Sequence, residues 1–148
     1  MNYKETLEYI HSIPKFNRIL GNALLEKLLN KMGNPQDNLK FIHIGGTNGK
    51  GSTCTMVSQI LTEAGYKTGL FTSPFLKFFN ERIKINGVPI SNSDLADIAS
   101  YVKKITEKYD AFVSEFAFDT AVAFEYFNRQ NCDFVICTIR PGKSDARN

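Results

Sequence analysis

The stretch Phe41-Ile42-His43-Ile44-Gly45-Gly46-Thr47-Asn48-Gly49-Lys50-Gly51-Ser52 constrains this chain more than any other. An apolar run runs into a glycine-rich turn, and a helical pattern follows from Lys50. A strand, a flexible turn and a helix N-terminus in that order make a phosphate cradle. Glycines let the backbone approach an anion closely, and the first turn of a helix offers unpaired N–H groups and roughly half a positive charge. Lys50 is placed to reach terminal phosphates, and the Ser52 hydroxyl is placed for Mg²⁺. The spacing departs from the usual P-loop: Ile44 stands where its first glycine belongs, and Gly51 separates Lys50 from Ser52. The plainer alternative is a glycine-rich turn that binds nothing.

The rest of the pattern reads as alternating strands and helices. Two helices open the chain. The second carries Leu24, Leu25, Leu28, Leu29 and Met32 at helical spacing and stops at Gly33 and Pro35. Strands are expected over Leu39 to Ile44 and Thr68 to Thr72, with a helix from Lys50 to Ala64 between them, ended by Gly65. Arg82 to Ile85 and Val88 to Ile90, joined by Asn86-Gly87, read as a hairpin. Ser91 or Ser93 caps a helix with Leu95, Ile98, Ala99, Val102 and Ile105 on its apolar face. A further helix carries Phe116, Ala121, Phe124 and Phe127, and Asp133 to Ile139 is the last strand. The expected fold class is α/β: a P-loop-type, mainly parallel sheet with helices on both faces.

At 148 residues the chain has the size of one domain. A net charge of +3, with lysines scattered rather than striped, does not argue for nucleic acid. Cys54, Cys132 and Cys137 have no metal-type spacing, and an odd count argues against a disulfide framework, so they read as small buried residues. No apolar stretch is long enough to span a bilayer, and the expected setting is the cytoplasm. His43 reads as a satisfied buried histidine and His11 as surface.

Several segments together resemble the folylpolyglutamate synthase and dihydrofolate synthase family of the Mur ligase group. They are Gly46 to Ser52, Phe71-Thr72-Ser73-Pro74-Phe75-Leu76, Phe79-Asn80-Glu81-Arg82-Ile83-Lys84-Ile85-Asn86-Gly87, Glu115-Phe116-Ala117-Phe118-Asp119-Thr120-Ala121 and the lead-in from Leu24 to Gln36. The resemblance runs from about Tyr3 to Phe134. It implies an ATP- and Mg²⁺-dependent ligase that joins L-glutamate to a folate or dihydropteroate carboxylate through an acyl phosphate. By that resemblance Gly46, Thr47, Asn48, Gly49, Lys50, Gly51 and Ser52 hold ATP, and Ser52 and Ser73 are candidate Mg²⁺ ligands. Phe75, Asn80, Glu81 and Arg82 lie toward the acceptor, and Glu115 orients substrate or a metal-bound water. Plainer readings stand beside these: Ser73 as a turn hydroxyl, Arg82 as a solvated charge, Glu115 as a carboxylate favoured by a helix N-terminus.

Two departures accompany the resemblance. Where the family carries a metal-binding glutamate after its strand, this chain has Cys137 or Thr138, and the pattern returns at Asp145, Ala146 and Asn148. The residues 1–148 correspond to part of the family's ATP-binding domain, without the rest of that domain or the glutamate-binding domain. The expectation is therefore a chain inactive alone and prone to self-association, from a family whose intact members are monomers. The alternatives are a catalytically dead nucleotide-binding remnant and another Mur-type ligase.

Overall fold

A computed structural model describes residues 1–15, 18–45, 49–72, 77–109 and 113–138, with the backbone alone at 18–21 and 50. In chain order the elements are α1 (Tyr3–Ser12), α2 (Arg18–Lys31), β1 (Phe41–His43), α3 (Lys50–Glu63), β2 (Thr68–Phe71), β3 (Ile83–Ile85), β4 (Val88–Pro89), α4 (Asn92–Lys108), α5 (Glu115–Arg129) and β5 (Phe134–Cys137). Short 3₁₀ turns lie at Pro35–Asn38 and Phe79–Arg82. The chain divides into two compact units. One holds Met1–Gln36 and Asn92–Tyr126, the other Asp37–Ser91 and Phe127–Arg140.

The first unit is helical. Asn2 and Glu5 form a reciprocal capping box at the start of α1, with bonds of 2.8 and 2.9 Å. Tyr9 of α1 meets the Phe118 ring edge-on at 5.3 Å. The expected apolar faces are largely the buried ones: Leu24, Leu25, Leu28, Leu29 and Met32 on α2, and Leu95, Ile98, Ala99 and Val102 on α4, with Ile105 half-buried. Phe118, Ala121 and Phe124 of α5 are fully buried.

The second unit is built on a sheet of order β1-β5-β2-β3-β4. Its heart, β1-β5-β2, is parallel. The hairpin β3-β4 adds to β2 antiparallel, so the expected parallel sheet is mixed at this side. The hairpin turn is Asn86-Gly87, both with positive φ (49° and 79°), as a twisted two-residue loop requires. Side-chain alternation assigns the faces. Ile42, Ile136 and Leu70 share a row and pack with Cys54, Val57 and Leu61 of α3. One residue earlier, Phe41, Val135 and Gly69 point the other way. There a Cβ on Gly69 would meet the Phe127 ring at 2.8 Å, so this glycine lets the last turn of α5 lie on the strand. Helices thus cover both faces of the parallel strands.

Element bounds differ from expectation mainly at strand ends. β1 is three residues long, yet Lys40 and Ile44 still exchange main-chain bonds with β5: Val135 N–H donates to the Lys40 carbonyl, and Ile44 N–H donates to that of Cys137. Arg82 closes a 3₁₀ turn instead of opening β3.

Candidate functional site

Register brings three chain exits to one row. His43, the last residue of β1, pairs with Cys137 at the end of β5, and Cys137 pairs with Phe71 at the end of β2. The glycine-rich turn leaves β1, Thr138 leaves β5, and the segment with Ser73 leaves β2. In open parallel sheets ligands bind outside the carboxyl ends of the strands. Every sequence-derived phosphate or metal candidate of this unit follows one of these exits.

Gly46, Thr47 and Asn48, and likewise Ser73 and Phe75, lie outside the described residues, as do Asp145, Ala146 and Asn148. Gly49 is the N-cap of α3 at φ 74° and ψ 10°, a left-handed conformation that favours glycine. Its carbonyl takes the first helical bond, from Thr53 N–H at 3.0 Å. Lys50, Gly51 and Ser52 form the first helical turn, where amides have no partner within the helix. Gly51 and Ser52 are exposed. Among the described residues, a Cβ added at Gly51 would meet nothing within 4 Å, so their packing gives no reason for a glycine there. An open, glycine-lined helix N-terminus with a hydroxyl in its first turn fits a phosphate and Mg²⁺.

The place between the two flanking exits is less suited to a cation. Cys137 is fully buried, and Thr138 is half-buried. The Thr138 carbonyl accepts a bond from His43 Nε2–H at 3.1 Å. His43 is thus satisfied but exposed, contrary to the buried position expected of it. It stands at the end of β1 on the face opposite Ile42. Neither a buried thiol nor a threonine replaces a carboxylate on a hard cation. Among the described residues no group of three His, Cys, Asp and Glu side chains is placed to hold a metal ion.

The acceptor-side candidates turn inward. Asn80 is buried, and its Nδ2 donates to the Ile90 carbonyl at 2.7 Å, tying the 3₁₀ turn to the residue just after β4. Arg82, expected either to meet a carboxylate or to be solvated, is 8% exposed. Its guanidinium lies over both the Phe71 and the Phe79 ring, 5.5 and 5.4 Å from their centroids. Glu81 is half-buried. Glu115 belongs to the first unit. It stands in the first turn of α5 and pairs with Lys15 at 3.7 Å. Ser114, absent from the expectations, caps this helix by accepting from Ala117 N–H at 3.1 Å; a serine just before an acidic first turn was the available signal. All three cysteines are buried. Burial pushes the Cys132 thiol up to about 11, which keeps it protonated and unreactive at neutral pH. Among the described residues no helix is long and apolar enough to cross a membrane.

No family model matches the chain. It is 37% identical to the folylpolyglutamate synthase of Lacticaseibacillus casei, over 100% of this chain and 36% of that protein. To the dihydrofolate synthase/folylpolyglutamate synthase of Bacillus subtilis it is 38% identical, over 99% of this chain and 35% of that protein. A solved complex of a folylpolyglutamate synthase with AMPPCP and folate superposes with a TM-score of 0.86 at 38% identity, covering 93% of this chain and 35% of that one. The chain spans about a third of the length of the curated relatives it matches.

Proposed function

Since this chain is a homologue of the folylpolyglutamate and dihydrofolate synthases over all the length it spans, we propose that it supplies the nucleotide-binding part of an ATP-dependent ligase that joins L-glutamate to a folate-type carboxylate. The observation that carries this reading is the open first turn of α3 at Gly49, Gly51 and Ser52, on the row where the parallel strands end. ATP, when bound, supplies the phosphoryl group that activates the acceptor carboxylate. The amides of the turn and the first helical turn hold the phosphates, with Gly46, Thr47 and Asn48 completing the cradle. Lys50 adds a cation where phosphoryl transfer accumulates charge. The hydroxyls of Ser52 and Ser73 serve Mg²⁺. The acceptor side is assigned to the segment carrying Phe75 and Glu81, whose backbone the buried Asn80 and Arg82 hold, and Glu115 orients substrate or a metal-bound water. Glutamate is the incoming amine, a monomer the working unit, and the cytoplasm the setting, on the family resemblance.

A second reading, a nucleotide-binding chain without ligase activity, is favoured by the buried Cys137 and by Thr138 where a carboxylate is expected. Titration with AMPPCP tests the part common to both. We expect binding strengthened by Mg²⁺, and Lys50→Ala to weaken it by about a hundredfold, the scale of one or two charged hydrogen bonds, without loss of fold. Equal affinities in the two proteins would remove Lys50 from the site. Glutamate-dependent phosphate release with dihydropteroate as acceptor separates the two readings.

A further inference from the structure

We infer that Arg82 is a positioning residue: its guanidinium holds the outgoing end of β2, and so sets where the chain departs toward Ser73. The inference rests on the nucleotide-binding reading above. Residue 72 is the first beyond β2, one step past the row shared by the three parallel strands. Arg82 meets it at two successive peptides, once through its main chain, in continuation of the β2-β3 ladder, and once through its side chain. Thr72 N–H donates to the Arg82 carbonyl at 3.0 Å, and Arg82 Nε donates to the Thr72 carbonyl at 3.3 Å. The guanidinium also lies over the Phe71 and Phe79 rings, within cation–π range of both. One ring belongs to β2 itself and the other to the 3₁₀ turn that leads into β3, so the same side chain joins the two ends of the intervening segment. A planar, permanently charged fork suits this task, whereas an ammonium has neither the Nε donor nor the flat face. A group so placed acts on Mg²⁺ through the backbone it holds.

The test uses AMPPCP titrations, with and without Mg²⁺ and without any acceptor, of the 148-residue chain and of Arg82→Lys. A group that only met the acceptor would leave these titrations unchanged. The expected result is a Mg²⁺ enhancement reduced by about tenfold in Arg82→Lys, equivalent to one lost charged contact, with affinity in the absence of Mg²⁺ kept within about twofold. An unchanged enhancement in a folded Arg82→Lys overturns the inference and leaves the nucleotide reading standing. No binding by the wild-type chain overturns both. Should Arg82→Lys fail to fold, Phe79→Leu, which removes one of the two rings, takes its place with the same expected direction. A measurement without substitution is decisive on the geometry: the Arg82 Nε–H resonance should exchange slowly with water, and exchange as fast as that of an exposed arginine overturns the inference.

Discussion

The turn between β1 and α3 and the segment between β2 and β3 look alike in sequence, both polar and both rich in ligand-type side chains, but they use that polarity in opposite directions. At the first, Gly49, Gly51 and Ser52 are exposed, and none of the described residues packs into the space beside Gly51. At the second, the Asn80 amide and the Arg82 guanidinium are buried and bonded to main-chain carbonyls. Polar residues in a motif can serve a ligand directly, or they can hold the backbone that does. Burial and hydrogen-bond direction tell the two apart where spacing does not.

Three substitutions would break or sharpen this contrast. Asn80→Ala removes a buried donor and strands the Ile90 carbonyl. It should cost about 1–3 kcal/mol in urea denaturation, the usual penalty for an unmet buried polar group. A loss below about 0.5 kcal/mol would return Asn80 to the ligand side. Gly51→Ala should do the reverse. Alanine is the better helix former and has room, so stability should rise by about 0.5 kcal/mol while AMPPCP affinity falls, because the methyl group takes the space assigned to phosphate. A gain in both would leave the open space without a function. Ser52→Ala, at an exposed position, should leave stability within about 0.5 kcal/mol and should reduce only the Mg²⁺ enhancement of nucleotide binding.

Much of this architecture was legible in local pattern. Helical spacing identified the buried faces of α2 and α4, and Asn86-Gly87 marked the hairpin because both residues tolerate positive φ. The exit of the glycine-rich turn from β1 was legible for the same kind of reason, an apolar run meeting a glycine cluster. The rest depends on long-range order. Nothing near Phe134 to Cys137 states that this strand inserts between β1 and β2, yet that insertion aligns the three exits. Nor did the charge of Arg82 announce its burial: arginine is usually exposed, and the two rings it lies over come from separate elements. His43 was misplaced because a three-residue strand leaves its last side chain beyond the cover that a longer strand would have.

The position of β5 also governs how the site comes into being. Among the described residues β1 and β2 share no main-chain bonds; in the sheet each is joined to the other through β5, which follows them by more than sixty residues. During synthesis the two loop-bearing strands exist before the strand that unites them, and closing so distant a contact is a slow step in folding. Detachment of β5 would part the exit of the glycine-rich turn from the exit toward Ser73 in the same event that opens the sheet. Ligand that bridges the two exits would therefore act as a kinetic clasp, slowing hydrogen exchange in β5, a strand it need not touch.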